Sequence, residues 1–220
     1  MNVLFWGLGG VGQRHLRNIL NLTNSCCNIY AISAKKERPL IDQNLNLIKD
    51  VDIFKKYNIK VAPHEKSFSN IKFDISVVSS PSSLHCEHAL RSLELGANIY
   101  LEKPAVVHVD ECTKLISALN QCPNQHLAVS FQFRFNPLIK KLKQLLDSHE
   151  YGPIICVESL VSEYMPYWHK YEDYTSSYAS SRSQGGGVVF TQIHEIDYLY
   201  YLFPCLKYVS SWAGKNSTLQ

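Results

Sequence analysis

The residues Val3-Leu4-Phe5-Trp6-Gly7-Leu8-Gly9-Gly10-Val11-Gly12 decide how the chain is read: a run of large apolar side chains delivers a glycine-rich turn, and a segment of helical spacing follows. A short apolar run that ends in glycines suits a buried parallel strand. Gly7, Gly9 and Gly12 fit the spacing G-x-G-x-x-G, and each position has a physical reason. The first glycine permits a sharp turn after the strand, the second lets the backbone approach a diphosphate, and the third lets the next helix pack against the strand. That helix, expected over Gly12 to Leu22, would aim its unpaired N–H groups and positive dipole end at the phosphates, with Gly10 and Val11 in the turn itself. The alternative is a tight strand-to-helix turn that holds no ligand.

Working outward, 220 residues allow one large or two small domains at roughly 100 to 200 residues each. Two are expected, a dinucleotide-binding domain over 1–133 and a partial second domain over 134–220. Hydrophobic residues make up 45% and charged residues 19%, which argues against extended disorder. A formal net charge of +3, with Lys and Arg scattered along the chain, gives no reason to expect a nucleic-acid partner. No apolar run approaches the roughly 18 residues of a membrane-spanning helix, and the start lacks a basic leader. The seven cysteines form no C-x-x-C pair and are odd in number, so reduced thiols in the cytosol are expected, and no metal site.

Asn28 to Ser33 suits a second parallel strand, and its end is where nucleotide choice is made. A carboxylate there accepts hydrogen bonds from the ribose hydroxyls of NAD. Ser33 stands in that place, followed by Lys35, Lys36 and Arg38; a serine among cations accommodates a 2′-phosphate, so NADP is favoured over NAD. The same cations also read as a solvated loop. Spacing through Leu45, Ile48, Val51 and Phe54 predicts a polar helix between Pro39 and Lys60. Phe73 to Ser80 reads as a buried strand stopped by Pro81, with a helix from Ser83 to Leu95 closed by Gly96. Asn98 to Leu101 is the next strand and delivers Glu102-Lys103-Pro104. This alternation implies right-handed crossovers and a doubly wound α/β sheet covered on both faces.

Further helices are expected over Val109 to Leu119 and Leu138 to Leu146, with a strand over His126 to Phe133 between them. Ile154 to Val161 and Leu206 to Trp212 read as strands of the second domain. The stretch from Glu163 to Ser183 is rich in tyrosine, suited either to a sugar-stacking loop or to core packing. His194 and Asp197, three apart in a helical segment, project from one face.

Four ordered stretches resemble the Gfo/Idh/MocA oxidoreductases: GLGGVGQRHLRNI from Gly7, Ser80-Pro81 with His85 at a strand end, Glu102-Lys103-Pro104, and GGGVVFTQIHEID from Gly185 to Asp197. The resemblance implies a Rossmann domain followed by an α/β domain whose open sheet often mediates homo-oligomerisation. It implies hydride transfer between NAD(P) and a hydroxyl or ketone of a sugar or nucleotide-sugar derivative. On that basis Ser80, Pro81, His85 and Glu102 join Gly7, Gly9, Gly10, Val11, Gly12, Ser33, Lys35, Arg38 and Lys103 on the cofactor side. Lys103, His194 and Asp197 would carry the chemistry, with Lys103 as the base. A non-catalytic NAD(P)-binding regulator and an inactive shortened relative are the competing readings, since the family's second domain normally runs well past the H-x-x-D helix.

Overall fold

The computed structural model describes residues 1–169, 171–205, 207 and 210–214. Its strands are β1 (Asn2–Trp6), β2 (Asn28–Ile32), β3 (Pro39–Ile41), β4 (Leu47–Asp52), β5 (Lys60–Ala62), β6 (Ile75–Val78), β7 (Asn98–Leu101) and β8 (Leu127–Val129). Its helices are α1 (Gly10–Leu22), α2 (Ile53–Lys56), α3 (His85–Glu94), α4 (Val109–Asn120), α5 (Pro137–Ser148), α6 (Val188–Thr191) and α7 (Ile193–Leu202). Six strands form one parallel sheet in the order β5-β2-β1-β6-β7-β8. The order reverses beside β1, so β1 and β6 diverge there in their onward connections and leave a crevice at their carboxyl ends.

Strand β1 shows why the sheet needs cover on both faces. Val3 and Phe5 point into one cluster with Leu8, Leu16 of α1 and Ile53, whereas Leu4 and Trp6 point into the other with Phe73, Ala89, Leu93 and Leu101. All four side chains are buried, and at about 1.5–3 kcal/mol for each large apolar side chain this strand anchors both layers. The second layer contains a polar inset. The Trp6 indole N–H donates to Ser92 Oγ at 2.9 Å, Ser76 meets the same oxygen at 2.7 Å, and His88 stacks on Trp6 with centroids 4.4 Å apart. Burial pushes the His88 imidazole down to about 4, so it stays neutral in this layer.

Two sequence expectations are corrected. The helix expected between Pro39 and Lys60 is an antiparallel hairpin of β3 and β4 followed by the single turn α2. Asp42 closes the hairpin by accepting from the amides of Asn44 and Asn46, both at 2.8 Å, and Leu45 sits at φ +62, outside any helix. Gln13 of α1 then holds the hairpin: its amide donates to the Pro39 carbonyl at 3.0 Å and accepts from the Ile41 amide at 2.7 Å. The spacing Leu45, Ile48, Val51, Phe54 looked helical because a turn and a strand happened to place apolar residues three apart.

The strand expected at Ile154 to Val161 does not form. The segment runs without a neighbouring strand and exposes Ile155 at 96% and Leu160 at 89%. Strands need a partner for their N–H and C=O groups, and here Ser159 alone reaches across, to Glu195 and Tyr198. Of the other expected strand, 206, 208 and 209 lie outside the described residues, and 207 and 210–214 carry no regular structure. Among the described residues, 134–214 is built of α5, α6, α7 and 3₁₀ turns.

Hydrogen exchange measures this directly. Amides of 153–163 are expected to exchange at close to unprotected rates in the isolated chain while those of β1 are protected to near the global stability; equal protection in the two segments would mean that 153–163 is paired after all.

Candidate cofactor and catalytic site

Backbone geometry builds the crevice first. Gly7 adopts φ +96, and a Cβ there would lie 2.6 Å from the Ser79 carbonyl oxygen, so β1 and the end of β6 cross where only glycine fits. Ser79 Oγ ties the crossing by donating to the Gly7 carbonyl at 2.8 Å. A Cβ on Gly12 would collide with that same carbonyl and with Ser79 Oγ, which brings α1 onto the strand end. At Gly9 nothing approaches within 4 Å, and no side chain caps the first amides of α1. An open glycine beside uncapped helix amides fits a diphosphate, which needs close backbone approach and free N–H donors. The helix begins at Gly10, two residues before the expected start.

At the end of β2, Ser33 Oγ accepts from the Lys35 amide at 3.1 Å and shapes the turn. Lys35 and Lys36 are exposed. Arg38 is half-buried, its Nε is without a partner among the described residues, and burial lowers its pKa from the ordinary guanidinium range.

His85 does not offer itself to a cofactor. Its buried ring lies between the Pro104 carbonyl, 2.6 Å from Nδ1, and the Ser80 carbonyl, 3.0 Å from Nε2. It fastens the Ser80-Pro81 strand end to the loop after β7. The Ser80 hydroxyl is held by His88 at 2.9 Å. Glu102 is likewise engaged, 2.6 Å from His15 Nε2 of α1 and accepting from the Lys103 amide at 3.1 Å. Burial alone would raise this carboxyl, but the His15 ring and the Lys103 amide hold it below the ordinary range.

Lys103 stands next to it with its amine turned across to α6, donating to the Thr191 carbonyl at 2.9 Å. Burial lowers its pKa, against the pull of Glu102. His194, at the start of α7, packs its ring on Phe133 with centroids 4.9 Å apart and keeps a buried Nδ1 without a partner among the described residues. Burial first, and the Lys103 charge second, lower its pKa. The structure therefore brings Lys103 and His194 into one electrostatic neighbourhood, both biased toward neutral forms.

Asp197 departs from the expected role. Its buried carboxylate is gripped by Arg134, whose Nε lies 3.0 Å from Oδ2 and 3.2 Å from Oδ1 while Nη2 also bonds Oδ1. Both oxygens serve this fork, and Arg134 is flanked in turn by Phe131 and Tyr201. Arg134, His15 and Thr191 are the participants that sequence reasoning passed over. Arg134 lies in the 3₁₀ turn Gln132–Phe135 before α5, and nothing in its spacing links it to a residue 63 positions on.

Residues 1–131 match the family described as the oxidoreductase family with an NAD-binding Rossmann fold, and the chain belongs to this Gfo/Idh/MocA family. Oxidoreductase P35 of Formosa agariphila is 35% identical over 86 residues, covering 39% of this chain and 26% of that protein. An inositol 2-dehydrogenase/D-chiro-inositol 3-dehydrogenase of Halalkalibacterium halodurans is 25% identical over 197 residues, covering 89% and 51%. Among solved structures, myo-inositol 2-dehydrogenase from Lactobacillus plantarum superposes with a TM-score of 0.68 at 19% identity over 92% of this chain and 56% of that one, which shows the shared fold. The chain thus spans about half the length of the inositol dehydrogenases it matches. Among the described residues no helix is long and apolar enough to cross a membrane.

Removing the fork isolates a carboxylate whose side chain is only 5% exposed. Arg134→Met is expected to lower unfolding stability by about 1–3 kcal/mol, read from urea midpoints at constant slope, because the unpartnered Asp197 must be buried alone. A loss under about 0.5 kcal/mol, the range of ordinary surface changes, would show that the fork carries no weight.

Proposed function

We propose that this chain binds NAD(P) across the glycine turn and transfers hydride between the nicotinamide and a CH–OH or keto carbon of a sugar, cyclitol or nucleotide-sugar derivative. The observation that carries the reading is the convergence of Lys103 and His194, from opposite halves of the sequence, with pKa values lowered by burial. When bound, the nicotinamide supplies the hydride acceptor or donor. The chain must supply the proton traffic. An amine displaced toward neutrality can take the hydroxyl proton from a substrate alcohol or return it to a ketone, and the Thr191 carbonyl holds that amine in place. His194, whose buried Nδ1 has no partner among the described residues, would serve as a second hydrogen-bond partner once a substrate enters beside it. Asp197, occupied by Arg134, orients α7 and with it His194, and so acts as a positioning residue.

We divide the chain at about residue 133, with the nucleotide elements in the first unit and the His194 helix in the second. The inositol dehydrogenases among its relatives support the polyol class of substrate. Arg38 and Ser33 support NADP ahead of NAD, since a half-buried guanidinium without an internal partner suits a 2′-phosphate. We place the reaction in the cytosol, a setting that suits seven free thiols, and expect the second unit to take part in a homo-oligomer. The regulator reading finds less support, because a binding module has no need of a buried amine in the electrostatic neighbourhood of a buried imidazole.

Two experiments bear on this reading. Lys103→Met should lower kcat by about 100-fold or more, the usual worth of a positioned proton carrier, and leave the dissociation constant for NADPH within about threefold; a variant that turns over a substrate at the parent's rate would remove Lys103 from the chemistry. Separately, Ser33→Asp should swing nucleotide preference toward NADH by about tenfold, since a carboxylate repels a 2′-phosphate and bonds ribose hydroxyls. Parent protein that already binds NADH as tightly as NADPH would overturn the NADP assignment.

A further inference from the structure

The segment after Tyr164 carries three rings in one stack. Trp168 lies on His169 with centroids 4.2 Å apart and planes 14° apart, and His169 lies on Tyr171 at 5.0 Å and 20°. The middle ring is fixed from its edge: His169 Nδ1 is 2.7 Å from Glu172 Oε1, which also accepts from the Ser177 hydroxyl at 3.1 Å, and Ser177 is buried. A stack held at its centre leaves the outer rings little rotamer freedom.

Tyr171 ends on α1. A Cβ built on Gly10, the first residue of that helix, would fall 2.6 Å from the Tyr171 hydroxyl oxygen and 2.9 Å from its Cζ. The phenol therefore rests on bare backbone where the first amides of α1 emerge, beside the open space at Gly9. The strap's own hydrogen bonds run through His169, Glu172, Asp173 and Ser177, and among the described residues none includes the Tyr171 hydroxyl. Burial raises the pKa of that hydroxyl, with Glu172 adding to the effect, so it keeps its proton and remains a donor near neutral pH. Gly10 gains a second reason to be glycine. It makes room for a tyrosine as well as for a phosphate.

Resting on the cofactor reading of the glycine turn, we propose that Tyr171 is a further cofactor-binding residue, whose hydroxyl donates a hydrogen bond to the diphosphate of the dinucleotide opposite the amides of α1. The diphosphate is a doubly charged acceptor. The helix end meets it from one side and leaves oxygens on the other, and a rigid phenol there adds a charge-assisted bond without ordering a new side chain. The role is one of binding, independent of the proton transfer at Lys103.

Titration of nucleotide fluorescence tests this on the full chain. Tyr171→Phe keeps the ring and removes the donor, and is expected to weaken NADH and NADPH by about tenfold each, the worth of one hydrogen bond to a charged group. The factor should be equal for the two because their diphosphates are the same, and ADP, measured as a competitor, should lose it as well. Unchanged affinity, tighter binding, or a loss confined to NADPH would overturn the assignment, the last by moving the hydroxyl to the 2′-phosphate. Glu172→Ala, which removes the acceptor that fixes the His169 ring and leaves the Tyr171 hydroxyl in the chain, should weaken both nucleotides by a smaller common factor; it decides the matter if the Phe variant fails to melt cooperatively, with an unchanged affinity again overturning the assignment. Parent protein that binds neither nucleotide would overturn the cofactor reading itself.

Discussion

The close crossing of Gly7 with the end of β6 is the constraint on which the site depends. Gly7 turns at positive φ, its carbonyl receives the Ser79 hydroxyl, and the Cα of Gly12 lies against the same carbonyl. Three chain segments share one small volume, and any Cβ at Gly7 or Gly12 would push them apart. The consequence is geometric: the first amides of α1 are aimed at the carboxyl ends of β1 and β6, the reversal point of the strand order, where ligands of open parallel sheets bind. The buried side chains of β1 supply the stability that keeps this crowding in place.

Much of this was legible in the residues themselves. Glycine spacing, apolar runs bounded by Pro and Gly, and the strand-helix rhythm located β1, β2, β6, β7 and β8 of the main sheet, because parallel strands buried on both faces read as continuous apolar runs. The hairpin of β3 and β4 was misread because its order comes from outside it. Asp42 closes the turn locally, but Gln13, far away in α1, decides where the hairpin lies. The expected strand at Ile154 to Val161 has β-branched residues in plenty and no partner, and propensity alone cannot create a ladder.

The site shows the same division. Lys103 and His194 could be singled out by residue type and motif, and the structure surrounds both with burial that lowers their pKa values. Partners could not be singled out. Whether a carboxylate is free to act depends on what faces it, and Asp197 faces Arg134 while Glu102 faces His15. Sequence carries the identity of an ionisable group, whereas its charge state and availability are tertiary properties. His85 makes the point from the other side, a motif histidine consumed by two backbone carbonyls.

The glycines Gly185 and Gly186 extend the argument to how the two halves of the site meet. A Cβ on Gly185 would lie 2.6 Å from Val107 Cγ1 and 2.9 Å from the Ser82 Cβ, and one on Gly186 would collide with the Tyr178 and Ala179 carbonyls. Gly185 is pressed against Val107 and Ser82 of the nucleotide domain and Gly186 against the 3₁₀ turn at Tyr178 and Ala179, and nothing larger than glycine fits at either place. Docking there sets the origin of α6 and α7, so the reach from Lys103 to the Thr191 carbonyl and the position of His194 follow from contacts outside the reacting groups. A proton carrier misplaced by about 1 Å loses much of its effect. The placement of Lys103 and His194 therefore depends on a glycine outside the pair, at Gly185, as well as on their own surroundings.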